Sequence, residues 1–287
     1  MRIDFHCHIF HNVNAFQAFK LYNQKFSGYG FYKRVLKMLE GINIINTDDI
    51  IEKTLYHLER VKIDKVVMLP VSEKENVAVS EWAQNAPDII IPFFNPPKRH
   101  DDSKGIKDII EKAILEDNYK GFKIMVSFRK KKLNDKILYP VLEMAHEHKL
   151  PVLFHTGYPP PGTQKSVLTF SNPIVIDEYI NSFPDAKIII AHMGYPWVDN
   201  ALALAVQYPN IYLDISNMTY MMPNRLKDFL LYAKELIGLD KILFGSDGFV
   251  PEMIEIAINY FDNANFLTKS EIDNILGLNA QKLLKIE

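Results

Sequence analysis

The sequence predicts an α/β fold closed into a distorted (β/α)₈ barrel, and three observations predict it. Short β-rich runs alternate with longer, helix-length segments along almost the whole chain. Several of those runs are continuously apolar, as in Val66-Val67-Met68-Leu69 and Ile188-Ile189-Ile190-Ala191, the pattern of parallel strands buried on both faces. The runs number eight, in a chain of 287 residues, and one such barrel takes about 250. Regular β-then-α order calls for crossover units and a parallel sheet. Eight strands favour closure over an open sheet.

The strands are expected, in order, over residues 3–6, 65–69, 89–94, 121–125, 151–155, 187–192, 211–215 and 242–246. Helix-length segments fall at 48–60, 106–115, 138–148, 175–181, 200–207 and 226–237. A last helix starts at Ser270-Glu271-Ile272-Asp273, where a hydroxyl and an acid three residues on match a capping box. With no internal repeat, low-complexity tract or linker in the sequence, residues 1–287 read as one domain. One connection is long. About forty residues, roughly 9–47, separate the first strand from the helix near Asp48, far more than the few usual for a βα loop. This insertion is aromatic, with Phe10, Phe16, Phe19, Tyr22, Phe26, Tyr29, Phe31 and Tyr32. Because βα loops gather on the face of a barrel that carries active sites, it reads as a lid or pocket wall. A helical excursion on the rim, or a subunit interface in a homodimer, is the other reading.

Composition narrows the partners. With 48% hydrophobic residues the chain can offset the entropy of ordering a core. A formal net charge of −2 lacks the basic footprint of a nucleic-acid binder. Cys7 is the single cysteine, so no internal disulfide forms, which fits a reducing compartment; it reads as a small buried filler. The opening Met1-Arg2-Ile3-Asp4-Phe5 shows no apolar export segment, and no apolar run reaches the eighteen residues of a membrane span. A cytoplasmic protein acting on a small molecule, without membrane or nucleic acid, is the expectation.

Four of the nine histidines stand at or just after strand ends: His6 and His8 after the first strand, His155 after the fifth and His192 after the sixth. Residues two apart in an extended chain share a side, so His6 and His8 can converge while Cys7 faces away. The eighth strand delivers Asp247 through Phe244-Gly245-Ser246. All five lie at the same end of their strands, so closure would gather them at one mouth. Imidazoles and a carboxylate suit zinc and related divalent ions such as Mn, Fe or Co, and a catalytic site leaves one position open. His6, His8, His155 and Asp247 are the expected ligands. Asp247 would also accept a proton, and His192 would polarise a carbonyl or stabilise developing charge. His11, His57, His100, His146 and His148 fall in loops or amphipathic helices and read as structural. Lys123 on the fourth strand is a candidate substrate contact or, carbamylated, a second metal ligand; a structural ion pair is the alternative. Arg129, opening a basic run after that strand, could attract an anionic substrate or simply be solvated. Phe249 follows Asp247 and is a candidate substrate contact.

With these residues in view, the chain resembles the amidohydrolase superfamily, in its amidohydrolase-2 branch, which includes the aminocarboxymuconate-semialdehyde decarboxylase-like enzymes. The likeness is carried by Ile3-Asp4-Phe5-His6-Cys7-His8, Gly121-Phe122-Lys123 and Pro151-Val152-Leu153-Phe154-His155-Thr156-Gly157. It continues through Ala191-His192-Met193-Gly194, Leu243-Phe244-Gly245-Ser246-Asp247 and Leu276-Gly277-Leu278-Asn279-Ala280. The resemblance implies a distorted TIM barrel with a divalent metal, commonly zinc, on the residues matching His6, His8, His155 and Asp247, and a catalytic or supporting role for His192. It implies hydrolysis of amides, esters or lactones, or decarboxylation of aromatic and muconate-type acids. One departure is local: Gly248-Phe249-Val250 stand between Asp247 and Pro251, where a proline often follows the aspartate more closely. The leading expectation is a metal-dependent hydrolase of a small carbonyl substrate. The second is a non-oxidative decarboxylase on the same site, and the third a barrel that binds a metal or ligand without catalysis.

Overall fold

In the computed structural model the described residues are 1–11, 13–98, 103–158, 167–248 and 250–286. Eight parallel strands follow one another in chain order: β1 (Ile3–Cys7), β2 (Lys65–Met68), β3 (Ile90–Pro92), β4 (Phe122–Ile124), β5 (Pro151–Phe154), β6 (Lys187–Ile190), β7 (Ile211–Asp214) and β8 (Ile242–Leu243). They pair as β1-β2-β3 and as β4-β5-β6-β7-β8. Two seams join these sets into a ring. Phe94 N donates to Gly121 O and Lys123 N to Phe94 O, each at 2.8 Å, across β3 and β4. On the other side, Phe5 N donates to Phe244 O at 2.8 Å and Asp247 N to His6 O at 2.7 Å. The second seam closes the barrel with the residues that follow β8, so the expected strand 242–246 is shortened to Ile242–Leu243 and continues as a hydrogen-bonded link.

Side chains alternate across the ring as strand geometry requires. Ile3, Phe5, Val67, Leu69, Phe93, Leu153, Ile189 and Leu243 form one buried cluster, the barrel interior, closed from below by Ala280 and Leu283 of the helix Asn279–Leu284. Their neighbours Val66, Met68, Val152, Phe154, Ile188, Ile190 and Ile242 belong to the larger layer packed beneath the helices.

Residues between β1 and the helix Ile50–Arg60 fold into two helices, Ala15–Asn23 and Gly30–Glu40. Of the aromatics in this stretch, Phe10, Phe19 and Tyr32 are buried in the core. Phe26, Tyr29 and Phe31 form a ring cluster near the surface. Two expected details change. The helix expected at 175–181 is a pair of 3₁₀ turns, Pro173–Glu178 and Ile180–Ser182, in keeping with the β-branched run Ile174-Val175-Ile176, which favours an α-helix poorly. The capping box lies two residues earlier, with Thr268 at the N-cap: Glu271 N donates to Thr268 Oγ1 at 3.3 Å and Thr268 N to Glu271 Oε2 at 2.8 Å. No described helix is long and apolar enough to cross a membrane.

Candidate metal centre

The site begins with an irregularity in β1. Ile3 pairs with Lys65 and Asp4 with Val66, but Cys7 then pairs with Met68, so β1 holds one residue more than β2. Such a bulge switches the alternation of faces. Ile3 and Phe5 point into the barrel, Cys7 turns to the outer layer, and His6 and His8 face the mouth together. Asp4 steadies the bulge: its Oδ1 accepts from His6 N at 3.1 Å and from Ser246 N at 3.0 Å.

His6 Nε2 and His8 Nε2 are 3.2 Å apart. Asp247 Oδ1 lies 3.5 Å from the first and 3.1 Å from the second. These three side chains present ligand atoms within 4.8 Å of one another. The opposite ring nitrogens are anchored, as metal-binding histidines require. His8 Nδ1–H donates to Leu69 O at 2.6 Å, and His6 Nδ1–H donates to the buried carboxylate of Asp214. Both arrangements turn Nε2 of each ring toward the ligand group. Burial, with Lys123 adding to it, pushes the His6 imidazolium well below the usual histidine range. Burial works to raise the Asp247 carboxyl, but His6, His8 and His192 outweigh it and hold it well below the usual carboxylate range. The set is therefore two imidazoles, of which His6 is held neutral, and an ionised carboxylate, which is the donor chemistry a divalent ion takes.

Two glycines let the backbones come this close. A Cβ on Gly245 would meet His6 Cβ at 2.4 Å and Ser216 Cβ at 2.9 Å. Gly157 has φ +73°, and a Cβ there would meet Tyr195 O at 2.1 Å. Gly245→Ala is expected to cost about 1–3 kcal/mol through overpacking, read as a lower urea midpoint for unfolding of the metal-free protein.

His192, Met193, Asn217 and Asp247 all hold positive φ, at 54°, 48°, 55° and 46°. Non-glycine residues enter this region at a cost, and four of the nine that do so among the described residues stand at or beside this site. Asp247 Oδ2 accepts from Asn217 Nδ2 at 2.8 Å and lies 3.8 Å from His192 Nε2. Tyr220 Oη donates to Asp247 O at 2.7 Å, and lies 3.1 Å from Ser246 O. Ser216 Oγ sits 2.9 Å from both His6 Nδ1 and His192 Nδ1.

The remaining expected residues divide. His155 faces the same mouth, 3.3 Å from His192 Nε2 through Nδ1, but its Nε2–H donates to Tyr158 O at 2.8 Å; it is not in the compact group of three. Lys123 is fully buried, with Nζ 3.0 Å from His6 Nε2. Burial pushes its ammonium down to about 8, against the pull of Asp247 and Asp214. Arg129 donates to Asn95 Oδ1 at 2.7 Å and to Pro96 O at 2.5 Å, so its guanidinium ties down the segment after β3. Phe249 lies outside the described residues. Asp214, Ser216, Asn217 and Tyr220 were not anticipated. Asp214 ends β7 as His155 follows β5, and that strand-end rule was the signal available for it.

The Lys123 geometry has a pH signature. Its folded value lies below its ordinary 10.5, so between about 8 and 10.5 the unfolded chain holds a proton that the folded one has released. Stability from this group is complete above 10.5 and is lost as pH falls to about 8. Metal-free wild type should gain about 1.4 kcal/mol per pH unit over that window relative to Lys123→Met, as measured by chemical denaturation at stepped pH.

A cleft of about 480 Å³ bounded by Met38, Ile42, Thr219, Tyr260 and Phe266 shares no residue with this cluster.

A family model described as amidohydrolase matches residues 3–286. Protein fluG of Emericella nidulans is 29% identical over 141 aligned positions, in a match that covers 47% of this chain and 16% of that protein. An uncharacterized TIM-barrel protein from Bordetella bronchiseptica superposes with a TM-score of 0.73 at 20% identity, covering 99% of this chain and 98% of its own. The 2,6-dihydroxybenzoate decarboxylase from Rhizobium does so with a TM-score of 0.63 at 14% identity, over 99% and 98%. At such identities the two solved structures show a shared fold.

Proposed function

The chain belongs to the amidohydrolase family, and from that membership we propose that it is a metal-dependent hydrolase of a small amide, ester or lactone. The observation that carries the reading is the meeting of His6 Nε2, His8 Nε2 and Asp247 Oδ1 within 4.8 Å, with the other nitrogen of each imidazole anchored by the protein. We assign these three as ligands of a divalent ion, zinc by preference for nitrogen and carboxylate donors. His155 is the fourth, and Nε2 is the atom it must release from the Tyr158 carbonyl to serve. Such an ion, when bound, supplies Lewis acidity that makes water a nucleophile near neutral pH and polarises a carbonyl.

The protein's own groups supply the rest. Asp247, held ionised, takes the proton from the attacking water and later returns it to the leaving group. Asn217 fixes the Asp247 carboxylate at Oδ2. His192, beside that same oxygen, donates toward the carbonyl oxygen as charge develops there. Ser216 and Asp214 keep the two histidine rings in place behind them.

A carboxy-lyase on the same residues is the second reading, and Lys123 is the observation that favours it. Its buried amine, pushed down to about 8, lies 3.0 Å from His6 Nε2 and supplies a cation to pair a substrate carboxylate. The aromatics of the first connection lend this reading less than their number suggests, since Phe10, Phe19 and Tyr32 are in the core. Metal-supplemented protein incubated with panels of esters, lactones, amides and hydroxybenzoates separates the two. Acid release from the first three is the expected result; CO₂ release from the hydroxybenzoates alone overturns it in favour of the lyase.

A further inference from the structure

A second cluster of charges joins the helix Ile50–Arg60 to the helix Glu252–Ile258, and its centre is fully buried. Lys53 of the helix Ile50–Arg60 is 0% exposed, as are His57 of the same helix and Glu252 at the start of the helix Glu252–Ile258. Lys53 Nζ is 2.5 Å from Glu252 Oε1 and also donates to Val13 O. One turn on, Glu255 Oε1 accepts from His57 Nδ1 at 2.6 Å and from Arg60 Nε at 2.8 Å. Neither Glu252 oxygen takes a well-aligned hydrogen bond among the described residues, so its contact with Lys53 is an ion pair.

Stripping water from charges such as these is costly, and a packed apolar pair of similar volume is usually at least as stable. Stability alone therefore does not account for Lys53 and Glu252. Their place in the chain suggests a different use. Val13, whose carbonyl Lys53 holds, follows His8 by five residues. Glu252 follows Asp247 by five. Gly248 rests directly on this second helix, where a Cβ would meet Met253 Cβ at 2.5 Å, so the position of the helix start is felt one residue from Asp247. The ammonium thus bridges the segment leaving β1, which carries two ligands, to the segment leaving β8, which carries the third.

We propose that Lys53 and Glu252 form a buried latch that fixes the spacing of the β1 and β8 ligands and thereby sets how tightly the site holds its ion. Both are positioning residues; neither touches the ligand atoms. The inference rests on the metal reading given above, and its test separates the two. Zn²⁺ affinity of the full chain is measured by competition with a chromophoric chelator, together with the visible spectrum of the Co²⁺-substituted protein. Lys53→Met and Glu252→Gln are each expected to weaken Zn²⁺ binding tenfold or more and to shift the Co²⁺ bands, while Lys53→Arg stays within threefold of wild type. Should Lys53→Met fail to fold, Glu252→Gln, which keeps the shape of its side chain, carries the test. Variants that unfold at lower temperature yet bind Zn²⁺ within twofold of wild type and keep its Co²⁺ spectrum overturn the latch alone, leaving the pair a structural contact. A wild-type chain that binds no Zn²⁺ overturns the latch and the metal reading together.

Discussion

Asp247→Asn is expected to lower turnover about 10³-fold while far-UV circular dichroism and melting temperature stay close to wild type. The substitution keeps size and shape, so neither the Asn217 contact at Oδ2 nor the seam from Asp247 N to His6 O needs to break. What disappears is the negative charge that three neighbouring histidines stabilise. An amide cannot take a proton from water near neutral pH, and it is a poorer donor to a hard cation. Loss of turnover should therefore come with weaker metal binding. Restoring metal to saturation should recover only part of the rate, because the proton acceptor is still missing. A variant that turns over at the wild-type rate with metal saturated would remove Asp247 from the chemistry.

Asp214→Asn should show how much of the site depends on a buried residue behind the ligand atoms. The buried Asp214 carboxylate accepts the proton on His6 Nδ1, which fixes the tautomer, aims Nε2 at the ligand group and raises its basicity. Removing a partner of this kind typically costs metal affinity about 10–100-fold. The charge is also a counterweight: Asp214, like Asp247, pulls the Lys123 ammonium upward against burial. With it gone, Lys123 should release its proton at lower pH than in wild type. Zn²⁺ competition titrations measure the first effect, and the pH dependence of unfolding measures the second. Unchanged affinity would mean that Ser216 Oγ, 2.9 Å from the same nitrogen, suffices to orient the ring.

Much of this site is legible from strand ends. A residue type that binds metals, placed where an apolar run stops, is enough to mark His6, His8, His155, His192 and Asp247, because parallel strands of one barrel all end on the same face. Asp214 obeys the same rule, at the end of Ile211-Tyr212-Leu213, and was missed because a carboxylate after a strand is common. The bulge in β1 is not legible. It depends on how β1 pairs with β2, and it decides which face of β1 the histidines occupy. Tertiary hydrogen bonds are equally hidden. Arg129 looks like a free cation in sequence, yet its donors go to Asn95 and Pro96, more than thirty residues away. The Tyr158 carbonyl on His155 Nε2 is of the same kind. Lys53 and Glu252 lie on separate helices some two hundred residues apart, and periodicity alone gives no reason to pair them.

The most direct test of this account is the metal content of the purified chain, compared with that of His8→Ala, by elemental analysis after exhaustive dialysis. His8 is chosen because it follows β1 and, apart from the ligand group itself, is held through Leu69 O, so its loss should leave the barrel intact. About one divalent ion per wild-type chain, and a small fraction of that in a folded His8→Ala, is the predicted result. A wild-type chain free of metal after growth and refolding with zinc, or a His8→Ala chain that keeps its ion in full, would contradict the account.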